Sequence, residues 1–158
     1  MIIRLFLVAA VAASLLSCRS IDCTNDLSRE NFSITITKGA CMGRCPVYDG
    51  TVRGDQSIEY MGRMDTEREG VWSGRADEGT LCDIRTLIDE NFVMSMKQDQ
   101  MSEVQDAPAT TLSITYKGET RMIRWNLGTP EGLKELVTLM IQLTHENTEL
   151  TQGPARQD

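Results

Sequence analysis

Six residues, Phe32-Ser33-Ile34-Thr35-Ile36-Thr37, alternate apolar and polar without a break. A period of two puts Phe32, Ile34 and Ile36 on one face of a strand and turns the hydroxyls to the other. Such a strand needs partners along its edges and cover over one face. The rest of the chain supplies both. Val47 to Arg53 reads as a strand with Tyr48 and Val52 on one face, and Ser57 to Met64 as another with Ile58 and Tyr60 on one face. Gly54-Asp55-Gln56 between them is a turn, so the two form a hairpin. Val71-Trp72-Ser73 adds a short fourth strand. A second hairpin follows: Thr111 to Tyr116 aligns Leu112, Ile114 and Tyr116, Lys117-Gly118 turns the chain, and Thr120 to Trp125 returns with Ile123 and Trp125.

Two stretches carry the helical period instead. Asp77 is placed to cap a helix from Glu78 to Asn91, whose Leu81, Ile84, Leu87, Ile88 and Phe92 share one face. Thr129-Pro130-Glu131 has the chemistry of a second helix start: a capping hydroxyl, a proline at the first position and an acid near the positive end. Leu133, Leu136, Val137, Met140 and Ile141 form its stripe, ending near His145. Ser95 to Pro108 lacks periodicity and reads as loop. The order is strands, helix, hairpin, helix. The expected fold is α+β: a single antiparallel sheet with two amphipathic helices packed on one face.

The first residues belong to a different programme. Arg4 supplies a positive start, and Leu5 to Leu16 is an apolar run too short to span a bilayer. Leu15-Leu16-Ser17-Cys18 then resembles the lipobox of bacterial lipoprotein signals. The resemblance implies that Cys18 becomes the first mature residue and carries the acyl chains that hold the protein to a lipid bilayer. Arg19 stands where the inner-membrane retention signal has aspartate, which implies an outer-membrane protein facing the periplasm. The division expected is residues 1–17 signal peptide, 18–30 polar tether, 31–146 α+β domain and 147–158 flexible tail. A formal charge of −7 over 158 residues argues against a nucleic-acid partner, which needs clustered basic surface.

Five cysteines less a lipidated Cys18 leave Cys23, Cys41, Cys45 and Cys82, with three possible connectivities. An exported domain meets oxidising conditions, so pairing is the default. Cys41 and Cys45 can bridge if the three residues between them turn, and Gly43 permits that turn. Cys23 and Cys82 then form a second pair or stay as free thiols.

The stretch Cys41-Met42-Gly43-Arg44-Cys45-Pro46-Val47-Tyr48, followed by Tyr60-Met61-Gly62, resembles the C-x-G-x-C-P-x-Y … Y-x-G pattern of the bacterial family of domains of unknown function numbered 6438. The resemblance spans Phe32 to Thr144. It implies export and the order of strand, cysteine loop, hairpin, helix, hairpin and helix, and it brings no activity with it. Two positions depart from the pattern. Gly50 stands where an apolar strand residue is expected, and Gln56 where a turn glycine is usual.

No catalytic constellation stands out. With one histidine, His145, and no Gly-x-Ser-x-Gly, there is no hydrolytic triad to assemble. Acidic loops at Asp65, Glu67 and Glu69 and at Asp99, Glu103 and Asp106 leave paired-carboxylate chemistry as an option. Cys-x-x-x-Cys-Pro also resembles the loop of Sco-type copper chaperones, in which Cys41 and Cys45 would hold Cu(I) with Met42, Met61 or Met64 near. Against that, a strand pattern follows the motif here in place of a helix. No cofactor is expected. The reading that fits best is a lipid-anchored envelope protein whose disulfide-pinned domain binds a ligand or another envelope protein, without catalysis. Trp72 and Trp125 suit a ligand groove or, more simply, sheet packing.

Overall fold

A computed structural model describes Leu27, residues 31–104 and residues 106–153. The expected signal peptide, Cys18 and Cys23 lie outside the described residues.

Among the described residues, eight strands form one sheet: β1 (Ser33–Lys38), β2 (Val47–Arg53), β3 (Ser57–Met64), β4 (Gly70–Arg75), β5 (Asp99–Gln100), β6 (Thr110–Tyr116), β7 (Glu119–Trp125) and β8 (Thr151–Gln152). Their order across the sheet is β5-β7-β6-β1-β2-β3-β4-β8. The alternating strand β1 lies at the centre, paired antiparallel with both β2 and β6. Helix α1 (Glu78–Glu90) follows β4, and α2 (Lys134–Leu143) follows β7.

Alternation decides what is buried. Ile34, Ile36, Tyr48, Val52, Ile58, Tyr60, Leu112, Ile114, Tyr116, Ile123 and Trp125 all enter one core with Leu81, Ile84 and Ile88 of α1 and Leu136, Val137 and Met140 of α2. Each buried aliphatic side chain contributes about 1.5–3 kcal/mol of hydrophobic stabilisation. The positions between them carry hydroxyls that satisfy one another, as Thr35 and Thr51 do across β1 and β2 at 2.9 Å.

The fold is α+β as expected, with several corrections. The sheet is mixed, because β5 runs parallel to β7. A segment that reaches a sheet edge by a crossover from a helix is free of the antiparallel geometry that a hairpin imposes. Phe92 is not on the buried face of α1; it is 75% exposed. The helix stops at Glu90, Phe92 takes a left-handed conformation (φ 51°), and Val93 fills the core in its place. At the start of α2, Pro130 is extended and Glu131–Leu133 form a 3-10 turn with no side-chain cap. The expected tether touches the core, since Leu27 is buried and its carbonyl accepts the Phe32 amide at 3.1 Å. The expected flexible tail includes buried Leu150 and strand β8, which pairs with β4 opposite Trp72 and Ser73.

The two departures from the family pattern have physical readings. A Cβ on Gly50 would stand 2.3 Å from Thr144 Oγ1 and 2.6 Å from Thr144 Cβ. The glycine lets the chain that leaves α2 lie directly on the sheet. Gln56 sits at φ 71°, a left-handed position that a glycine adopts without penalty.

Candidate functional site: a tyrosine–histidine cleft

The cysteine loop leads into one end of β2. Cys41 and Cys45 are joined by a disulfide with Cα atoms 5.8 Å apart, closing the turn around Gly43. Its sulfurs are not free thiolates, so Cys41 and Cys45 hold no soft metal in this state. Met42 projects into solvent at 81% exposure. Met61 lies on β3 one residue from Tyr60, and strand alternation turns it to the opposite face. Among the described residues no group of three or more His, Cys, Asp or Glu is placed to hold a metal ion. Cys82, on α1, is also disulfide-bonded.

Past the disulfide, Pro46 precedes β2 and Tyr48 is the first buried residue of that strand. Tyr60 is the neighbour on β3, its ring 5.5 Å from that of Tyr48. The third ring comes from far along the chain. His145, two residues beyond the end of α2, stacks on Tyr48 with centroids 4.3 Å apart and planes 4° from parallel. Its Nδ1 is 3.0 Å from Tyr60 Oη. Both signature tyrosines therefore converge on the one histidine of the chain.

Two glycines and an arginine bring this about. Gly62, the glycine of Y-x-G, has no room for a side chain: its Cβ would fall 1.8 Å from the Arg68 carbonyl oxygen. The loop from Asp65 to Glu69 folds back over it, and the Thr66 hydroxyl donates to that carbonyl at 3.0 Å. So folded, Arg68 extends to the C-terminal end of α2. Its guanidinium donates to the carbonyls of Thr144, His145 and Asn147. The first belongs to the C-cap of α2 and the other two to the chain just beyond it, and a cation there also complements the helix dipole. The guanidinium further lies over the rings of Tyr60 at 5.0 Å and Trp72 at 5.6 Å. Trp72 is tied to the same loop through Nε1–H, which donates to the Glu69 carbonyl at 3.0 Å.

A cleft of about 530 Å³ opens beside this cluster, lined by Pro46, Tyr60, Asp65 to Arg68, His145, Glu146 and Thr148. Burial raises the pKa of the Tyr48 phenol, and the neighbouring Tyr60 and Glu146 push the same way. Burial also raises that of Tyr60, against the Thr66 hydroxyl and Arg68, which lower it. His145 is held below its ordinary value, chiefly by burial and next by Arg68. At neutral pH the three rings are uncharged. The cleft thus offers a neutral aromatic wall with hydrogen-bonding edges, and Arg68 is already engaged with backbone carbonyls.

The other candidates fall elsewhere. Asp65 and Glu67 line the cleft, whereas Asp99 belongs to β5, at the opposite edge of the sheet, and Glu103 and Asp106 lie in the loop that follows it. Trp125 is core. Sequence reasoning missed Arg68 and placed His145 only near a helix end. The signal available was the glycine pair, Gly50 and Gly62, each of which marks a close approach by chain distant in sequence.

No curated protein matches the chain. A family match covers residues 32–144, from the first strand to the end of α2, and stops one residue short of His145. The chain belongs to the family described as Domain of unknown function (DUF6438).

Proposed function

We propose that this protein is a lipid-anchored module of the bacterial envelope that binds without catalysis, and that the tyrosine–histidine cleft is its binding site. The observation that carries this reading is the convergence of Pro46 and Tyr60 of the signature on one cleft of about 530 Å³, with Tyr48 behind them and Gly62 seating the loop that carries Arg68. A pocket of that volume with an aromatic wall and a few convergent polar groups is the usual form of a ligand site.

The anchoring half of the proposal rests on Leu15-Leu16-Ser17-Cys18, and the outer-membrane assignment on Arg19. Both helices cover the same face of the sheet in this reading. It is supported by the confinement of the core to alternate strand positions and by the contacts of α2 with β1, β2 and α1. Topology adds a direction. The chain enters β1 at the end of the sheet where β2 turns into β3, and the cysteine loop and cleft stand at the other end. A domain tethered through Cys18 then presents the cleft away from its own bilayer.

Two experiments test this. A Cys18→Ser variant loses membrane fractionation and acylation; membrane residence of that variant refutes the anchor. A photo-crosslinking residue at Thr148, in intact envelopes, captures a specific partner or ligand that the same probe at Thr120, on the far side of the sheet, does not. Equal capture at both positions refutes the cleft.

A further inference from the structure

The far wall of the cleft hangs on a short chain segment beyond α2, of which the family match reaches only Thr144. Thr144 is buried against Gly50, with its hydroxyl on the Met140 carbonyl at 2.7 Å. His145 follows, between Tyr48 and Tyr60. Asn147 is held through its carbonyl by Arg68, Leu150 packs against Gly74, and β8 pairs with β4 at Trp72 and Ser73. His145 is the titratable side chain at the centre of this strap.

We propose that His145 is a pH-operated clasp: proton uptake by its ring in mildly acidic solution loosens the segment from Thr144 to Gly153 from the sheet and widens the cleft. The functional consequence rests on the cleft being the binding site; the clasp itself does not.

In the neutral ring with its proton on Nε2, Nδ1 accepts the Tyr60 hydroxyl. A proton from solvent adds at Nδ1 and makes it a donor, so the Tyr60 hydroxyl hydrogen has to rotate away. The new charge is half-buried. It faces Tyr48 from β2, Tyr60 from β3, Glu67 and Arg68 from the β3–β4 loop, Lys38 from the end of β1, and Glu146 beside it. Burial, Arg68 and Lys38 oppose the charge; Glu146 and Glu67 favour it. Burial is the largest of these and Arg68 the next, so the folded protein holds the ring below its ordinary value. Arg68 cannot withdraw without giving up the carbonyls of Thr144, His145 and Asn147, the same segment. The sign follows. A folded pKa below the unfolded value of about 6.5 makes the contribution complete above that pH, and it is lost as pH falls through the folded value.

The chain has one histidine, so its ring resonances are unambiguous. NMR titration of the full chain is expected to show the ring midpoint below about 6.5. The Trp72 indole signal and the amides of Thr151 and Gln152 should move with that same midpoint, and the protection of those two amides, taken relative to their intrinsic exchange rate at each pH, should fall at least several-fold below it. A His145→Phe variant keeps a stacked ring and should leave these signals flat across the range, while Tyr60→Phe should raise the midpoint. A ring midpoint at or above the ordinary value overturns the clasp. So does ring titration that leaves Trp72 and Gln152 unmoved, or the same movement in His145→Phe. Should that variant fail to fold, agreement or disagreement of the midpoints in the unaltered chain decides the question. No ligand enters these measurements, so the clasp can stand while crosslinking at Thr148 fails, and the reverse.

Discussion

Helix α1 is secured at its start and α2 at its finish. Asp77 caps α1 by accepting from the Thr80 amide and hydroxyl, both at 2.8 Å. Its far end is held by Asn91, whose side-chain amide donates to the Leu87 carbonyl, and then gives way to the exposed Phe92. Helix α2 begins through a 3-10 turn with no side-chain cap. Its end is gripped by residues from elsewhere: Gly50 receives Thr144, Arg68 takes three carbonyls, and two tyrosines hold His145. The end fixed by local chemistry is structural. The end fixed by distant chain is where the cleft lies.

Substitutions can break that contrast, beginning with the most damaging. Gly50→Val forces a side chain into Thr144 and should cost about 3 kcal/mol, the upper part of the usual overpacking range. Urea denaturation measures it. Gly50→Ala combined with Thr144→Gly should recover part of the loss of Gly50→Ala alone, because the clash is between those two residues. Additive losses would mean that the glycine serves something else. Arg68→Met should cost about 2 kcal/mol through lost charge-assisted hydrogen bonds at the helix end. Amide exchange should then rise in residues 143–153 and stay unchanged in α1; uniform exchange across both helices would dissolve the distinction. Tyr60→Phe removes one hydrogen bond, worth about 1 kcal/mol, and should leave the ring stack with Tyr48 in place.

Asp77→Ala should have the smallest effect, seen as faster exchange in the first turn of α1 only. The Thr80 bonds lower the Asp77 pKa, so the cap contributes above the ordinary carboxylate value and is lost as pH falls through the folded one. Acid should therefore loosen the start of α1 at a lower pH than it releases His145. A single shared transition would contradict the separation of the two helix ends.

Much of this was visible in the one-dimensional pattern. Strands β2 and β3 have the bounds that alternation suggests, and Asp77 caps α1 as its side chain predicts. These depend on residues within one turn or one strand of each other. Strands β5 and β8 were not visible, since two residues carry no period and their pairing is decided by where distant chain passes. Phe92 fits the helical spacing, but the helix ends before reaching it. Leu150 sits in a polar stretch and is buried only because Gly74 leaves it a place. Of the site, the motif named Pro46, Tyr48, Tyr60 and Gly62 as members of one signature. Their meeting with His145, which lies 85 residues from Tyr60 and 77 from Arg68, had no local trace.

The sequence alone determined the family, the alternating core and the identity of the motif, because periodicity and turn chemistry are short-range. The tertiary structure alone decided that the signature builds a cleft. Only folding brings the end of α2 onto Gly50 and the loop onto Gly62, and only there do Arg68 and the backbone carbonyls find the partners that fix His145 between the tyrosines. Close approach of backbone to backbone is a property of three dimensions. In the sequence it appears as nothing more than two glycines within strands, Gly50 and Gly62.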